Sequence, residues 1–196
     1  MAEFAFGQQI VTPPFTLVFS NLTKPNEFAG TDPSFGFTML FDQNVDLRPM
    51  KKALHDIEKE FFKSANPAYY KDVFKDGNTR ISAEGDVYPG HENRIAVKAS
   101  IKAQNEHLSK TKKPLIWLSR SKELLSWEAA AEMFYDGCIC DAKLTPMAYN
   151  IASKGVKFIP KMIRFREQGE PLFADSMTTD DFDDLEDSQT SEFDDI

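Results

Sequence analysis

Cysteine is scarce in this chain: two residues in 196, Cys138 and Cys140. Two apart in a predicted strand, they share a face but are poorly placed to bridge each other, so we read both as reduced thiols of a cytosolic protein. The three histidines, His55, His91 and His107, are scattered without ligand spacing. A zinc site would need two ligands beyond the cysteines, so neither metal nor cofactor is expected. No run of about 18 apolar residues exists, which argues against a membrane-spanning helix. The opening MAEFAFGQQIVTPPF lacks a basic start followed by an apolar block, so it does not read as a secretory signal. A phosphate-binding glycine loop, HExxH, GxSxG and the kinase motifs are all missing.

Basic residues are missing from the end of the chain. Residues 180–196, DDFDDLEDSQTSEFDDI, hold nine acids and no Lys or Arg. Without them the net charge of −8 becomes +1. Residues 94–166 carry 14 Lys and Arg against six Asp and Glu, a local charge of +8. A basic segment followed by an acidic tail says more about partners than the overall charge does. The tail has few large apolar residues, Phe182, Leu185, Phe193 and Ile196, too few to offset chain entropy, so disorder is expected there.

The 41% hydrophobic content suits one domain with a core. After an irregular lead-in over residues 1–13, FTLVFS (15–20) and FGFTMLFD (35–42) read as strands. Asp46 is a candidate helix cap, with Pro49 near the first turn. From there to about Ser64, Met50, Leu54, Ile57 and Phe61 recur at helical spacing. Residues 65–93, with Pro67, Gly77, Gly85, Pro89 and Gly90, predict a long, partly helical excursion. Arg94–Lys102 alternates as a third strand, 104–113 is a polar loop, and Leu115–Leu118 a short strand. Ser126 caps a short helix running to Phe134. Five or so strands with large connections suggest a mainly β, α+β chain of the five-stranded OB-fold type.

The stretch 134–173 reads as a hairpin: one strand from Cys138 to Tyr149, a turn carrying Asn150, Ser153 and Gly155, and a second strand from Val156 to Arg166. Strict alternation places Val156, Phe158, Met162 and Arg164 on one face and Lys157, Ile159, Lys161, Ile163 and Phe165 on the other. Pro160 cannot donate to a ladder, so it marks an edge or a bulge. Basic residues interleave with rings along this ribbon. A flexible polyanion with flat bases needs such chemistry, cations for phosphates and rings for stacking. The candidate phosphate contacts are Lys98, Lys102, Arg120, Lys143, Lys154, Lys157, Lys161 and Arg164. The candidate stacking rings are Trp117, Tyr135, Tyr149 and Phe158, each with a core position as its ordinary alternative. Phe15, Phe19, Phe35, Phe37 and Leu40 are assigned to the core.

Several ordered pieces carry a resemblance: PPFTLVFSNLTKPNEF, FGFTMLFD, MKKALHDIEKEFF, KDGN at 75–78, MFYDGCICDAKLTPMAY and KGVKFIPKMIRFREQGEPL. Over nearly its full length the chain resembles the OB-fold single-stranded-DNA-binding proteins of tailed bacteriophages. The resemblance implies an OB-fold domain over residues 1–174 and an acidic tail over 175–196. It implies cooperative or dimeric coating of single strands in phage replication, recombination or repair, in the cytoplasm of the infected host, and no catalytic activity. It makes the tail, with Phe182, Phe193, Asp194, Asp195 and Ile196, an element for recruiting replication partners such as a polymerase, helicase or primase. Two other readings start from the same residues. A virion decoration protein would use the hairpin as an interface, and a metal-dependent nuclease would use acids around Asp136 and Asp141.

Overall fold

The structure is a computed structural model that describes residues 3–26, 32–64, 69, 73–103, 115–151 and 153–173. The expected 104–113 loop and the acidic tail, with its Phe182, Phe193, Asp194, Asp195 and Ile196, lie outside the described residues. No helix among the described residues is long and apolar enough to cross a membrane.

The chain is mainly β. Its strands are β1 (Phe4–Phe6), β2 (Ile10–Val11), β3 (Phe15–Asn26), β4 (Ser34–Asp42), β5 (Phe74–Asp76), β6 (Arg94–Lys102), β7 (Ile116–Leu118), β8 (Ile139–Asn150) and β9 (Lys154–Glu167). Two helices are described, α1 (Arg48–Phe62) and α2 (Trp127–Met133). The sheet runs β1-β8-β3-β4-β6-β9-β7, and β8 also pairs with β9. The pairings β3–β4–β6–β9–β8–β3 therefore return on themselves, an OB-like arrangement. The β6–β9 link is parallel, with Ala99 opposite Phe158, while the other pairings of this circuit are antiparallel.

The core lies inside this circuit. Leu17, Phe37, Met39, Val97, Leu144 and Ile163 enter from the strands. Helix α1 adds Met50, Leu54 and Ile57 from one face, as the three-and-four spacing requires. Its cap differs from the expected one: Leu47 occupies the capping position, and Asp46, one residue earlier, accepts from the Arg48 amide at 3.0 Å. At α2 the Ser126 hydroxyl accepts from the Ala129 amide at 3.2 Å, as the sequence suggests. The lead-in is not wholly irregular, because β1 and β2 add to the edge of β8. Cys138 and Cys140 are free and buried, with their sulfurs 3.6 Å apart. Burial pushes the Cys140 thiol up and keeps it protonated.

Two bulges decide which side chains face outward. On β9 the register passes from Lys143 opposite Met162 to Leu144 opposite Pro160, leaving Lys161 as the extra residue. The bulge expected at Pro160 is there, and it reverses the alternation beyond it. Val156, Phe158, Ile163 and Phe165 all join the core, while Arg164 turns outward to Asp141. On β3 the register breaks between Val18 and Asn21, where Phe19 takes a φ of 48°. This second break builds the site.

Candidate nucleic-acid interface

The outer face of β3, β4 and β6 carries a groove of about 490 Å³. Asn21, Asn26, Ser34, Thr38 and Ser100 line its floor, Phe19 and Tyr88 supply rings, and Arg80 and Lys98 supply charge. The β3 bulge turns Phe19 away from the core side of its strand and frees two backbone donors. The Asp136 carboxylate takes both, accepting from the Phe19 amide at 2.8 Å and the Ser20 amide at 3.1 Å, and also from the Ser20 hydroxyl at 2.6 Å. Phe19 then packs edge-on to Tyr88 at 5.1 Å and tilted against Phe173 at 5.3 Å and His91 at 5.4 Å. Burial holds the His91 imidazole below its ordinary range, so it is neutral at pH 7 and adds no charge behind the rings.

Asp136 is itself held by two pieces of chain that meet back to back. The Tyr135 hydroxyl donates to the Gly169 carbonyl at 2.9 Å and accepts from the Gly169 amide at 3.0 Å. The Leu172 amide donates to the Asp136 carbonyl at 3.1 Å. Gly137 has φ +115°, and a Cβ there would sit 2.0 Å from the Glu170 carbonyl oxygen. A Cβ on Gly169 would sit 2.0 Å from the Gly137 oxygen. Only two glycines allow the backbones to come this close.

The cations of β6 and β9 converge beside the groove. Lys98 lies opposite Thr38, and Lys102 lies opposite Ser34 with its ammonium 2.6 Å from Asp32. The parallel pairing sets Lys157 beside Lys98 on the outer face. Burial lowers the half-buried Lys157 below its ordinary range, and the charges of Lys102 and Lys98 lower it further. Crowded cations on a partly desolvated floor favour an anion.

A family model described as the single-stranded-DNA-binding protein of Enterobacter phage Enc34 matches residues 8–193. The chain belongs to that family. As a member of the Enc34 family it shares its fold with solved phage proteins. It superposes on the Enc34 single-stranded-DNA-binding protein in complex with single-stranded DNA with a TM-score of 0.64 at 17% identity, over 83% of this chain and 88% of that one. With gp2.5, a single-stranded-DNA-binding protein encoded by bacteriophage T7, the TM-score is 0.54 at 13% identity, over 96% of this chain and 100% of that one. No curated protein sequence matches the chain.

In this Enc34-family chain the structure brings Lys98, Lys102 and Lys157 together and disperses the other residues expected at the site. Trp117 and Phe158 are 1% and 0% exposed and lie in the core, so neither presents a ring face to solvent. Removing a buried Phe side chain costs about 3–5 kcal/mol, and a Phe158 variant would report on stability rather than stacking. Tyr135 is half-buried and spends its hydroxyl on Gly169. The Tyr149 ring lies over Gly155, its cross-strand neighbour, and stays partly exposed. Arg164 pairs through both its Nε and a terminal nitrogen with Asp141, which also holds Arg166 at 2.9 Å. Burial raises the Asp141 carboxyl, but the two guanidiniums outweigh it and hold the acid below its ordinary range. Lys143 and Arg164 line a separate cleft of about 220 Å³, and Arg120 borders another beside Arg166. Lys154 is exposed near the hairpin turn, and Lys161 is the bulge residue.

Asp136 and Asp141, the acids of the nuclease reading, serve the β3 bulge and the arginine pair respectively. The described residues contain no grouping of three or more His, Cys, Asp or Glu suited to a metal ion. Phe19, which the sequence assigns to the core, packs on a second buried cluster of Val18, Leu40 and Ala96 and also borders the groove; sequence reasoning missed Arg80 and Tyr88. The Tyr88-Pro89-Gly90 turn was the available signal for the second ring. Nothing in FTLVFS announces a bulge.

Proposed function

We propose that the chain is a sequence-tolerant single-stranded-DNA-binding protein that coats exposed strands during phage replication, recombination and repair in the infected cell, without catalysis. The observation that carries this reading is the groove in which Phe19 and Tyr88 stand beside Arg80 and Lys98, with Lys157 next to Lys98 across the parallel pairing. Rings and cations on one open face suit a strand whose bases are unstacked. Membership of a family of phage single-stranded-DNA-binding proteins supports the same reading, and a solved relative that is itself a complex with single-stranded DNA adds to it. In the finer form of this proposal the OB-like circuit is a closed five-stranded barrel and the protein works as a homodimer. A fluorescence titration with oligo-dT and with a matched duplex is the test. Clear preference for the single strand is expected, because a duplex hides the base faces that the rings need. Equal affinity for the two would sink the reading.

The acidic segment 180–196 completes the proposal. Its nine carboxylates on a tether compete with DNA for the basic groove while DNA is scarce. When DNA displaces them, Phe182, Phe193, Asp194, Asp195 and Ile196 are free to engage replication proteins. Deleting 180–196 should tighten single-strand binding, most at low salt where screening is weakest. Unchanged low-salt affinity in the truncated protein would remove the competition and leave recruitment to be tested separately.

A further inference from the structure

Strand β1 carries the rings Phe4 and Phe6, 48% and 55% exposed, with centroids 5.7 Å apart in an edge-on pair. Ala5 between them turns inward and packs on the core. Two exposed phenylalanines on a three-residue strand are costly to leave in water, and their neighbours indicate what they meet. Phe4 lies opposite Tyr149 and Phe6 opposite Met147. Across β8, Tyr149 lies opposite Gly155 and Met147 opposite Lys157. Directly opposed residues on antiparallel strands share a face, so Phe6, Met147 and Lys157 form one outward row. Lys157 stands beside Lys98, which lines the groove. The row therefore leads without a break from the groove to the β1 rings. It crosses β6, β9, β8 and β1, three steps of about 4.8 Å or roughly 14 Å in all.

We propose that Phe4 and Phe6, with Tyr149, form a second stacking subsite that receives the bases of a DNA single strand leaving the groove past Lys98 and Lys157. This rests on the proposed single-strand binding and extends its path to the sheet edge. Charge complementarity favours DNA over another occupant: the row begins at two adjoining lysines, Lys98 and Lys157, which repel one another until an anion arrives, and Met147 carries it on to the rings. The rings themselves are sequence-tolerant platforms, since every base has a π-face.

The test uses the full chain with Phe4→Ala and Phe6→Ala together, oligo-dT of about six nucleotides and oligo-dT of about twenty. Both rings are exposed, so the melting temperature should hold. The long oligonucleotide should bind roughly tenfold or more weakly, while the short one, which the groove alone accommodates, should bind as before. Phe4→Tyr with Phe6→Tyr should restore long-strand affinity, because the stacking face is kept. Unchanged affinity for the long strand overturns the subsite. Sedimentation provides another refuting outcome: loss of self-association with unchanged DNA affinity would mean that these rings contact a second copy of the chain. Lys98→Ala separates the subsite from the reading beneath it. If Lys98→Ala weakens both oligonucleotides and the ring variant weakens neither, the subsite fails alone; if Lys98→Ala weakens neither, single-strand binding in the groove fails first.

Discussion

Gly137→Ala should lose about 2–6 kcal/mol of stability in urea denaturation, combining a strained backbone with a steric clash. The backbone term follows from φ +115°, a region that side-chain-bearing residues rarely enter. The clash follows from the Glu170 carbonyl oxygen, 2.0 Å from where the new methyl would stand. The residue before Gly137 is Asp136, whose carboxylate holds the Phe19 and Ser20 amides. Pushing the 169–172 segment away should therefore release the bulge and lower single-strand affinity in the fraction that stays folded. A comparison with Gly85→Ala separates local strain from position. Gly85 also has positive φ, +94°, but its Cβ would meet nothing within 4 Å, so the backbone term alone should remain. A Gly137→Ala protein that unfolds at the wild-type urea concentration would mean that the two backbones do not pack as described.

Two stretches that are distant in sequence are joined by this arrangement. FYDGC and GEPL meet in space: Tyr135 bonds Gly169 through donor and acceptor, and Gly137 lies against Glu170. Periodicity could not reveal that contact, since it lies in backbone approach and not in a pattern of apolar side chains. Where one face of an element is buried and its alternation is unbroken, the sequence was legible. Arg94–Lys102 has the bounds its alternation suggests, and α1 buries Met50, Leu54 and Ile57 as its spacing requires. Legibility failed at the bulges. Pro160 signals one, but strict alternation takes no account of the parity change it brings, and so sets Ile163 and Phe165 on the face opposite to the one they occupy. At Phe19 a bulge, its amide held by a carboxylate 117 positions away, moves a well-spaced apolar residue from the main core onto the Val18, Leu40 and Ala96 cluster. Spacing could not say which of the expected cations converge across the parallel β6–β9 link or which one pairs with Asp141.

Removing the converging cations, Arg80→Ala, Lys98→Ala and Lys157→Ala together, should flatten the salt dependence of single-strand binding by about two units. Each phosphate contact on a single strand contributes a slope of about −0.7, so a wild-type protein with about four contacts should show roughly −3. Partly exposed charge contacts contribute about 1 kcal/mol each after solvent screening, so affinity at low salt should fall roughly 100-fold. Stability should move the other way. Burial and the neighbouring charges depress Lys157 in the folded chain. The folded state therefore binds its proton less readily than the unfolded chain, and stability from this group is lost as pH falls from the alkaline range towards its depressed folded value. At neutral pH the charged Lys157 is a cost that the variant no longer bears, and the melting temperature should hold or rise. A bound phosphate offsets the same cost, so DNA binding near the depressed value should take up protons, measurable as a buffer-dependent heat in calorimetry. Lys143→Ala with Lys161→Ala is the control, since neither lysine lines the groove or, like Lys157, stands beside Lys98; it should change the slope little. If the control pair flattens the slope and the groove triple does not, the strand runs over the hairpin and not along the β4–β6 face.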